Sequence, residues 1–153
     1  MEEKNFYSLA WNYFQQHANQ RIELINFYIV LEVFLFTGMY TVAISENADV
    51  DIKRVVCIII GIASICFSFI FYNLDCRTKG MIKNSERILK AFEAKYSAQF
   101  GETLMVFSSE EQQTDTQRRF TMFPLSYANC FRFLFLFFSG IGAISIVYFS
   151  IAK

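Results

Sequence analysis

The chain has a single proline, no cysteine motif and no excess of positive or negative charge. One proline among 153 residues leaves residues 52–98 without a helix breaker. The four cysteines form no CxxC pair and have no neighbouring histidine, which argues against a zinc site or a redox motif. The net charge is zero, so no direct nucleic-acid binding is expected.

The chain is instead rich in apolar and aromatic residues. Hydrophobic residues make up 54% of it, and 19 of them are phenylalanines that would drive aggregation in water. Three apolar runs, residues 24–45, 55–74 and 131–152, are long enough to cross about 30 Å of hydrocarbon at about 1.5 Å per residue. The sequence therefore predicts an all-α membrane protein with three transmembrane helices and the lipid bilayer as its surroundings.

Residues 1–23 are typical of an N-terminal amphipathic helix at the membrane interface. Apolar positions recur three and four residues apart, and Trp11 suits the headgroup zone. These positions are Phe6, Leu9, Ala10, Tyr13, Phe14 and His17. The segment has neither a basic start followed by an apolar run nor a cleavage site, so it does not resemble a removed signal peptide. The first span is then expected to act as an uncleaved anchor.

Residues 75–129 form the one sizeable polar segment. Its first part has a helical pattern with a single apolar face, on which we identify four candidates for docking a partner helix: Ile82, Leu89, Phe92 and Tyr96. Without a proline, the second span is expected to continue as a cytosolic helical extension, with Gly80 as the one candidate hinge. Residues 100–129 are less regular and fit either two short strands around a loop or a lid on the membrane.

The distribution of basic residues predicts the orientation. The N-terminal and middle segments hold ten lysines and arginines: Lys4, Arg21, Arg77, Lys79, Lys83, Arg87, Lys90, Lys95, Arg118 and Arg119. The opposite side holds three, which are Lys53, Arg54 and Lys153. Because positive charge stays inside, we expect a multi-pass protein of the inner (cytoplasmic) membrane with a cytoplasmic N-terminus.

Glu32 is the most unusual residue of the first span. It lies about 13 Å beyond Glu23 by helical rise, near the middle of the bilayer, where ionisable groups are costly and usually functional. In an oligomer it would contribute to an acidic ring at a pore or a subunit interface. Alternatively, a protonated Glu32 bonds to Asn26, to a backbone carbonyl or to the third span, or its carboxylate pairs with Arg132.

Two further patterns leave alternatives open. His17, Gln20 and Arg21 share one helix face, which fits either a site for a phosphate-bearing ligand or lipid headgroup, or ordinary interfacial residues. Small residues in the second and third spans allow close helix approach, either within the chain or between copies. These residues are Gly61, Ala63, Ser64, Ser139, Gly140, Gly142, Ala143 and Ser145.

No constellation of residues predicts an enzyme. The sequence has no nucleophile beside a base, no metal-ligand cluster, no phosphate-binding loop and no dinucleotide fingerprint. We therefore expect no catalytic residues, no metal and no cofactor.

Several short patches resemble those of small bacterial multi-span membrane proteins encoded beside phage-defence systems, among them CRISPR-, retron- and cyclic-nucleotide-linked membrane effectors. The patches are residues 10–14 (AWNYF), His17, Ala18, Gln20 and Arg21 before the first span, residues 74–77 (LDCR), Ile82, Lys83 and Glu86 after the second, and Ser126 and Tyr127 before the third. The resemblance implies an oligomer that harms or depolarises the host membrane when infection is sensed. The RxxxxH signature of HEPN ribonucleases is missing, because Asn12 stands five residues before His17.

These observations favour a self-associating inner-membrane effector of antiviral defence whose cytosolic segment receives a signal and whose spans breach the membrane. The alternative is a non-conducting anchor or adaptor, which would dock a soluble defence-system protein encoded nearby through the helix at residues 76–98.

Overall fold

The structure is a computed structural model that describes residues 2–46, 49–100 and 127–151. It contains three α-helices: α1 (Glu2–Ile44, 43 residues), α2 (Val50–Phe100, 51 residues) and α3 (Tyr127–Ile151, 25 residues). The prediction of strands or a lid at residues 100–129 concerns a segment that lies, from residue 101 to 126, outside the described residues.

All three helices are long and apolar enough to cross a membrane, over Asn5–Ile44, Val50–Tyr96 and Ala128–Ile151. The predicted all-α membrane class with three spans is therefore confirmed, and the described residues contain no strand. The second span does continue as a helix, and it passes through Gly80 without interruption.

Local capping fixes where α2 begins. The Asp49 side chain accepts a hydrogen bond from the backbone N–H of Asp51 at 3.3 Å, which is the arrangement of an N-cap residue. Asp51 adds a negative charge in the first turn, where the helix dipole favours it. At the end of α1, the N–H of Ser45 reaches back to the carbonyl of Val42 at 3.3 Å. The end of α1 and the start of α2 thus satisfy part of their backbone locally.

The chain divides into two compact units. We call Glu23–Asp75 with Tyr127–Lys153 the three-helix bundle, and Met1–Ile22 with Cys76–Ser126 the two-helix unit. In the two-helix unit, Leu89 is fully buried, and the Phe92 ring lies 5.8 Å from the ring of Phe6 and 5.7 Å from that of Tyr7. Its two helices are therefore joined by apolar and aromatic contacts, while the buried Ser85 hydroxyl bonds within α2 to the carbonyl of Met81.

In the three-helix bundle, α2 runs antiparallel to both neighbours. Tyr28 bonds to Ser68 and Glu32 bonds to Ser64, so the residue numbers of the partners on α2 decrease as those on α1 increase. Gly61 and Gly142 mark the contact of α2 with α3. The bundle exposes large apolar side chains, and Phe34, Leu136 and Phe133 each remain more than two-thirds exposed. Such a surface needs lipid or another chain around it.

Candidate functional site: a buried polar ladder in the bundle

Glu32 is enclosed inside the three-helix bundle, with no exposed surface. The Ser64 hydroxyl of α2 donates a hydrogen bond of 2.7 Å to Glu32 Oε2. The other carboxyl oxygen, Oε1, is buried and has no hydrogen-bond partner in the part of the chain that the structure describes. A buried acid with one unmatched oxygen is a costly feature that calls for a functional explanation.

A second polar pair lies one helical turn away. The hydroxyls of Tyr28 and Ser68 are 2.8 Å apart and share a hydrogen bond. Tyr28 and Glu32 are four residues apart on α1, and Ser64 and Ser68 are four apart on α2, so the antiparallel helices bring the pairs into register. We call these four residues the polar ladder.

Aromatic rings enclose the ladder on the side of Tyr28. Its ring lies 5.1 Å from that of Phe71, 4.9 Å from that of Phe135 and 5.7 Å from that of Phe138. Aromatic packing of this kind restricts water, so the hydroxyls and the carboxyl interact in surroundings of low polarity. In such surroundings a hydrogen bond is strong and an unmatched polar atom is costly.

Ser64 has a second acceptor within reach. Its hydroxyl lies 3.5 Å from the backbone carbonyl of Phe138 on α3, besides the 2.7 Å bond to Glu32. A serine hydroxyl carries one proton, so it can favour the carboxyl or the carbonyl but does not bond fully to both. Ser64 can therefore keep a partner if the Glu32 side chain moves away.

The structure does not place Asn26 or Arg132 among the hydrogen-bond partners of Glu32 within the described residues. Both side chains are exposed, Asn26 on α1 and Arg132 on α3. The carboxyl is bonded instead by Ser64, which is not among the predicted partners. A signal for it existed, because Ser64 and Ser68 repeat in an apolar run the four-residue spacing of Tyr28 and Glu32. The pore or interface role of Glu32, Asn26 and Arg132 stays a prediction.

The second group of candidates lies on α1. His17 Nδ1 and Gln20 Oε1 are 3.0 Å apart, and the Tyr13 ring meets the His17 ring edge-on at 4.3 Å. Arg21 is half-buried on the next turn. The structure thus brings His17 and Gln20 together, while their binding of a ligand or headgroup stays a prediction.

The candidates for docking a partner helix lie inside the two-helix unit. Leu89 is fully buried, and Phe92 contacts Phe6 and Tyr7 of the same chain. Ile82 and Tyr96 are half-buried. The predicted apolar face therefore packs at least in part against the chain's own N-terminal helix, and its use by a second protein stays a prediction.

Two of the small residues of the second and third spans, Gly61 and Gly142, meet within the chain, whereas nothing lies within 4 Å of a methyl group added at Gly140. A methyl group added at Gly61 would lie 2.9 Å from the Gly142 carbonyl oxygen, and one added at Gly142 would lie 2.9 Å from the Gly61 carbonyl oxygen. Both distances are too short for a real side chain, so the two backbones touch only because both residues are glycine. Ser64, one turn from Gly61, stands beside this crossing.

Three apolar helices packed around a buried carboxyl define a multi-pass α-helical membrane protein. Within that class, the chain belongs to the octameric membrane protein family (8xMP), whose profile matches residues 4–151. The chain is also 31% identical over 134 residues to CD-NTase-associated protein 19 of Escherichia coli, a match that covers 86% of this chain and 83% of that protein. No solved structure matches the chain.

These comparisons confirm the predicted resemblance to small membrane proteins of bacterial phage defence. Together they identify the chain as an oligomeric membrane protein associated with phage defence.

Proposed function

We propose that the chain is an effector of phage defence in the bacterial inner membrane, where it self-associates and perturbs or permeabilises the bilayer when triggered. The observation that carries this proposal is the fully buried Glu32 carboxyl with one unmatched oxygen. An acidic residue at the centre of a membrane helix costs about 3 kcal/mol on insertion scales. A bundle that only anchored a partner would be at least as stable with an apolar residue of similar volume at this position.

In the proposed mechanism the structure corresponds to the closed state. Glu32 is enclosed by its own chain, so it does not line an axis between chains in this conformation. On triggering, α1 would rotate and carry the carboxyl out of the bundle. The second acceptor of Ser64, the Phe138 carbonyl, supports this step because it lowers the cost of breaking the bond to Glu32.

Assembly would multiply the effect of one carboxyl. In an octamer, as the name of the family suggests for this chain, each subunit would contribute one Glu32 to a ring around the axis. Rings of acidic side chains attract cations at the mouth or centre of a pore. The resulting leak would collapse the membrane potential, and the activity would need no catalytic step and no cofactor.

The proposed trigger is based on the similarity to CD-NTase-associated protein 19. CD-NTase-associated protein 19 is tied by its name to a CD-NTase, and we carry that association over to this chain as membership of an anti-phage CBASS system. The N-terminus and the middle segment, which hold ten of the chain's basic residues, would lie in the cytoplasm and receive the signal there. A soluble protein of the same system is a candidate carrier of that signal.

The test compares two carboxyl-to-amide changes on α1. Glu32→Gln keeps an acceptor for Ser64 but removes the acid, whereas Glu23→Gln removes an exposed acid nine residues earlier on the same helix. Cells carrying the complete defence system are infected with phage, and membrane potential is followed with a voltage-sensitive dye. We expect wild type and Glu23→Gln to depolarise and Glu32→Gln to stay polarised at equal membrane abundance.

Two results would contradict the proposal. If the Glu32→Gln variant depolarised cells at the wild-type rate, the carboxyl of Glu32 would not be needed for depolarisation. A wild type that protects the culture without depolarising its membrane would favour the adaptor, which would then need a surface other than the buried Leu89 and the packed Phe92.

A further inference from the structure

A groove of about 350 Å³ runs along the seam between α2 and α3 on the surface of the three-helix bundle. Its lining is mostly apolar, with one cation at one end. The lining residues are Ile65, Ser68, Phe69 and Tyr72 of α2 and Arg132, Phe135, Leu136 and Ser139 of α3. The groove is separate from Glu32, which is not among them.

The two ends of the groove lie at different depths in the bilayer. Tyr72 and Arg132 stand within two residues of the points where the apolar runs 55–74 and 131–152 meet polar sequence, which is the level of the lipid headgroups. Ile65 and Ser139 lie seven residues further along their helices, about 10 Å deeper by helical rise. The groove therefore leads from the headgroup zone into the hydrocarbon.

The charge at the shallow end is not balanced within the groove. Arg132 is exposed, and no acidic side chain occurs among the described residues that line the groove. A guanidinium binds phosphate with two parallel hydrogen bonds, and Tyr72, whose side chain carries a hydroxyl, lines the groove as well. The deep end is walled by Ile65, Phe69 and Leu136, which fit a hydrocarbon chain.

We propose that this groove binds an anionic phospholipid, with its phosphate at Arg132 and Tyr72 and one acyl chain along the seam. A carboxylate from a second copy of the chain, such as the exposed Glu23, would satisfy Arg132 alone. It would leave the apolar channel below the cation without an occupant, whereas a phospholipid fills both parts. Because Ser68 lines the groove and bonds to Tyr28, the bound chain would lie against the polar ladder.

The experiment measures lipid retention, so its outcome does not depend on effector activity. The full chain in detergent is mixed with phosphatidylglycerol or phosphatidylcholine of identical acyl chains, and bound lipid is counted by native mass spectrometry. We expect wild type to retain phosphatidylglycerol about fivefold better than phosphatidylcholine, the ratio that one basic residue near an anionic lipid supplies. Arg132→Gln should abolish the preference, and Arg132→Lys should keep part of it.

Arg77→Gln is the matched control, because it removes an exposed arginine of the two-helix unit and gives the same net charge. It should leave retention unchanged. Ser139→Phe fills the deep end without a charge change and should reduce retention of both lipids. As a second measurement, the tryptophan fluorescence of the Phe69→Trp variant in a Trp11→Phe background should be quenched by phosphatidylglycerol with brominated acyl chains.

Three outcomes would overturn the proposal. Equal losses in Arg77→Gln and Arg132→Gln would mean that the overall charge attracts the lipid. Displacement of phosphatidylglycerol by inorganic phosphate would mean a simple anion site. Dissociation of the oligomer by Arg132→Gln with unchanged lipid retention would identify the groove as a contact between copies.

Discussion

The three-helix bundle and the two-helix unit differ in the contacts that join their helices. The bundle places hydroxyls and a carboxyl inside, as the bonds of Tyr28 to Ser68 and of Ser64 to Glu32 show, and exposes phenylalanine and leucine outside. In the two-helix unit, Leu89 is enclosed and Phe92 packs against other aromatic rings. Its buried Ser85 hydroxyl bonds within α2, to the carbonyl of Met81, and not across to α1. Its portion of α2, residues 76–96, carries six of the chain's basic residues.

The difference follows from the solvent in which each kind of contact is effective. In lipid, burial of apolar side chains gives little driving force for helix association, so small residues and hydrogen bonds hold the helices together. In water, the removal of apolar surface dominates. The largest effects on stability are therefore expected from apolar truncation in the two-helix unit, smaller ones from enlargement of a glycine in the bundle, and the smallest from removal of one hydrogen bond.

Leu89→Ala is the strongest test of an apolar interior in the two-helix unit. The side chain is fully buried, so we expect its truncation to lower the free energy of unfolding of this unit by about 2–5 kcal/mol. Hydrogen exchange of the backbone amides of residues 80–96 in the full chain measures the change. Ile88→Ala, at a neighbouring position that is 39% exposed, is the control and should cost much less. Equal effects of the two changes would mean that the unit is not held by this interior.

Gly61→Ala tests the close crossing of α2 and α3 in the bundle. The new methyl group would lie 2.9 Å from the Gly142 carbonyl oxygen, so the helices must separate, and we expect a loss of about 1–3 kcal/mol. Gly140→Ala is the control on α3, since nothing lies within 4 Å of its added methyl group. Unfolding in mixed detergent micelles compares the two variants. If Gly140→Ala destabilised the bundle as much as Gly61→Ala, the crossing would not depend on contact between the glycines.

The sequence predicts the three spans, the helical continuation of the second span and the exceptional position of Glu32. It does so because hydropathy, length and an isolated acid can be read along one chain. The apolar face with Leu89 and Phe92 is also predicted, because helical spacing in polar surroundings shows which side turns inward.

The hydrogen-bond partner of Glu32 cannot be predicted from the sequence in this way. A helix that is apolar on every side has no polar face to indicate which residues point inward. The register between α1 and α2 then decides whether Ser64, Asn26 or Arg132 meets the carboxyl, and register depends on packing between helices. The contact of Gly61 with Gly142 cannot be predicted either, because small residues allow a close approach but do not show which helix makes it.

Removal of the hydrogen bond between Tyr28 and Ser68 should have the smallest effect of the three. Tyr28→Phe keeps the ring that packs against Phe71 and Phe135, so only the hydroxyl is lost, and we expect a cost of about 0.6 kcal/mol, as for other hydrogen bonds between membrane helices. A double-mutant cycle with Ser68→Ala measures the coupling energy in the same micelles used for the glycine variants. Ser150→Ala on α3 is a control, because its hydroxyl bonds only within its own helix, to the carbonyl of Ile146. A coupling near zero would mean that the two hydroxyls contribute nothing to helix association, and the bundle would then depend on close packing alone.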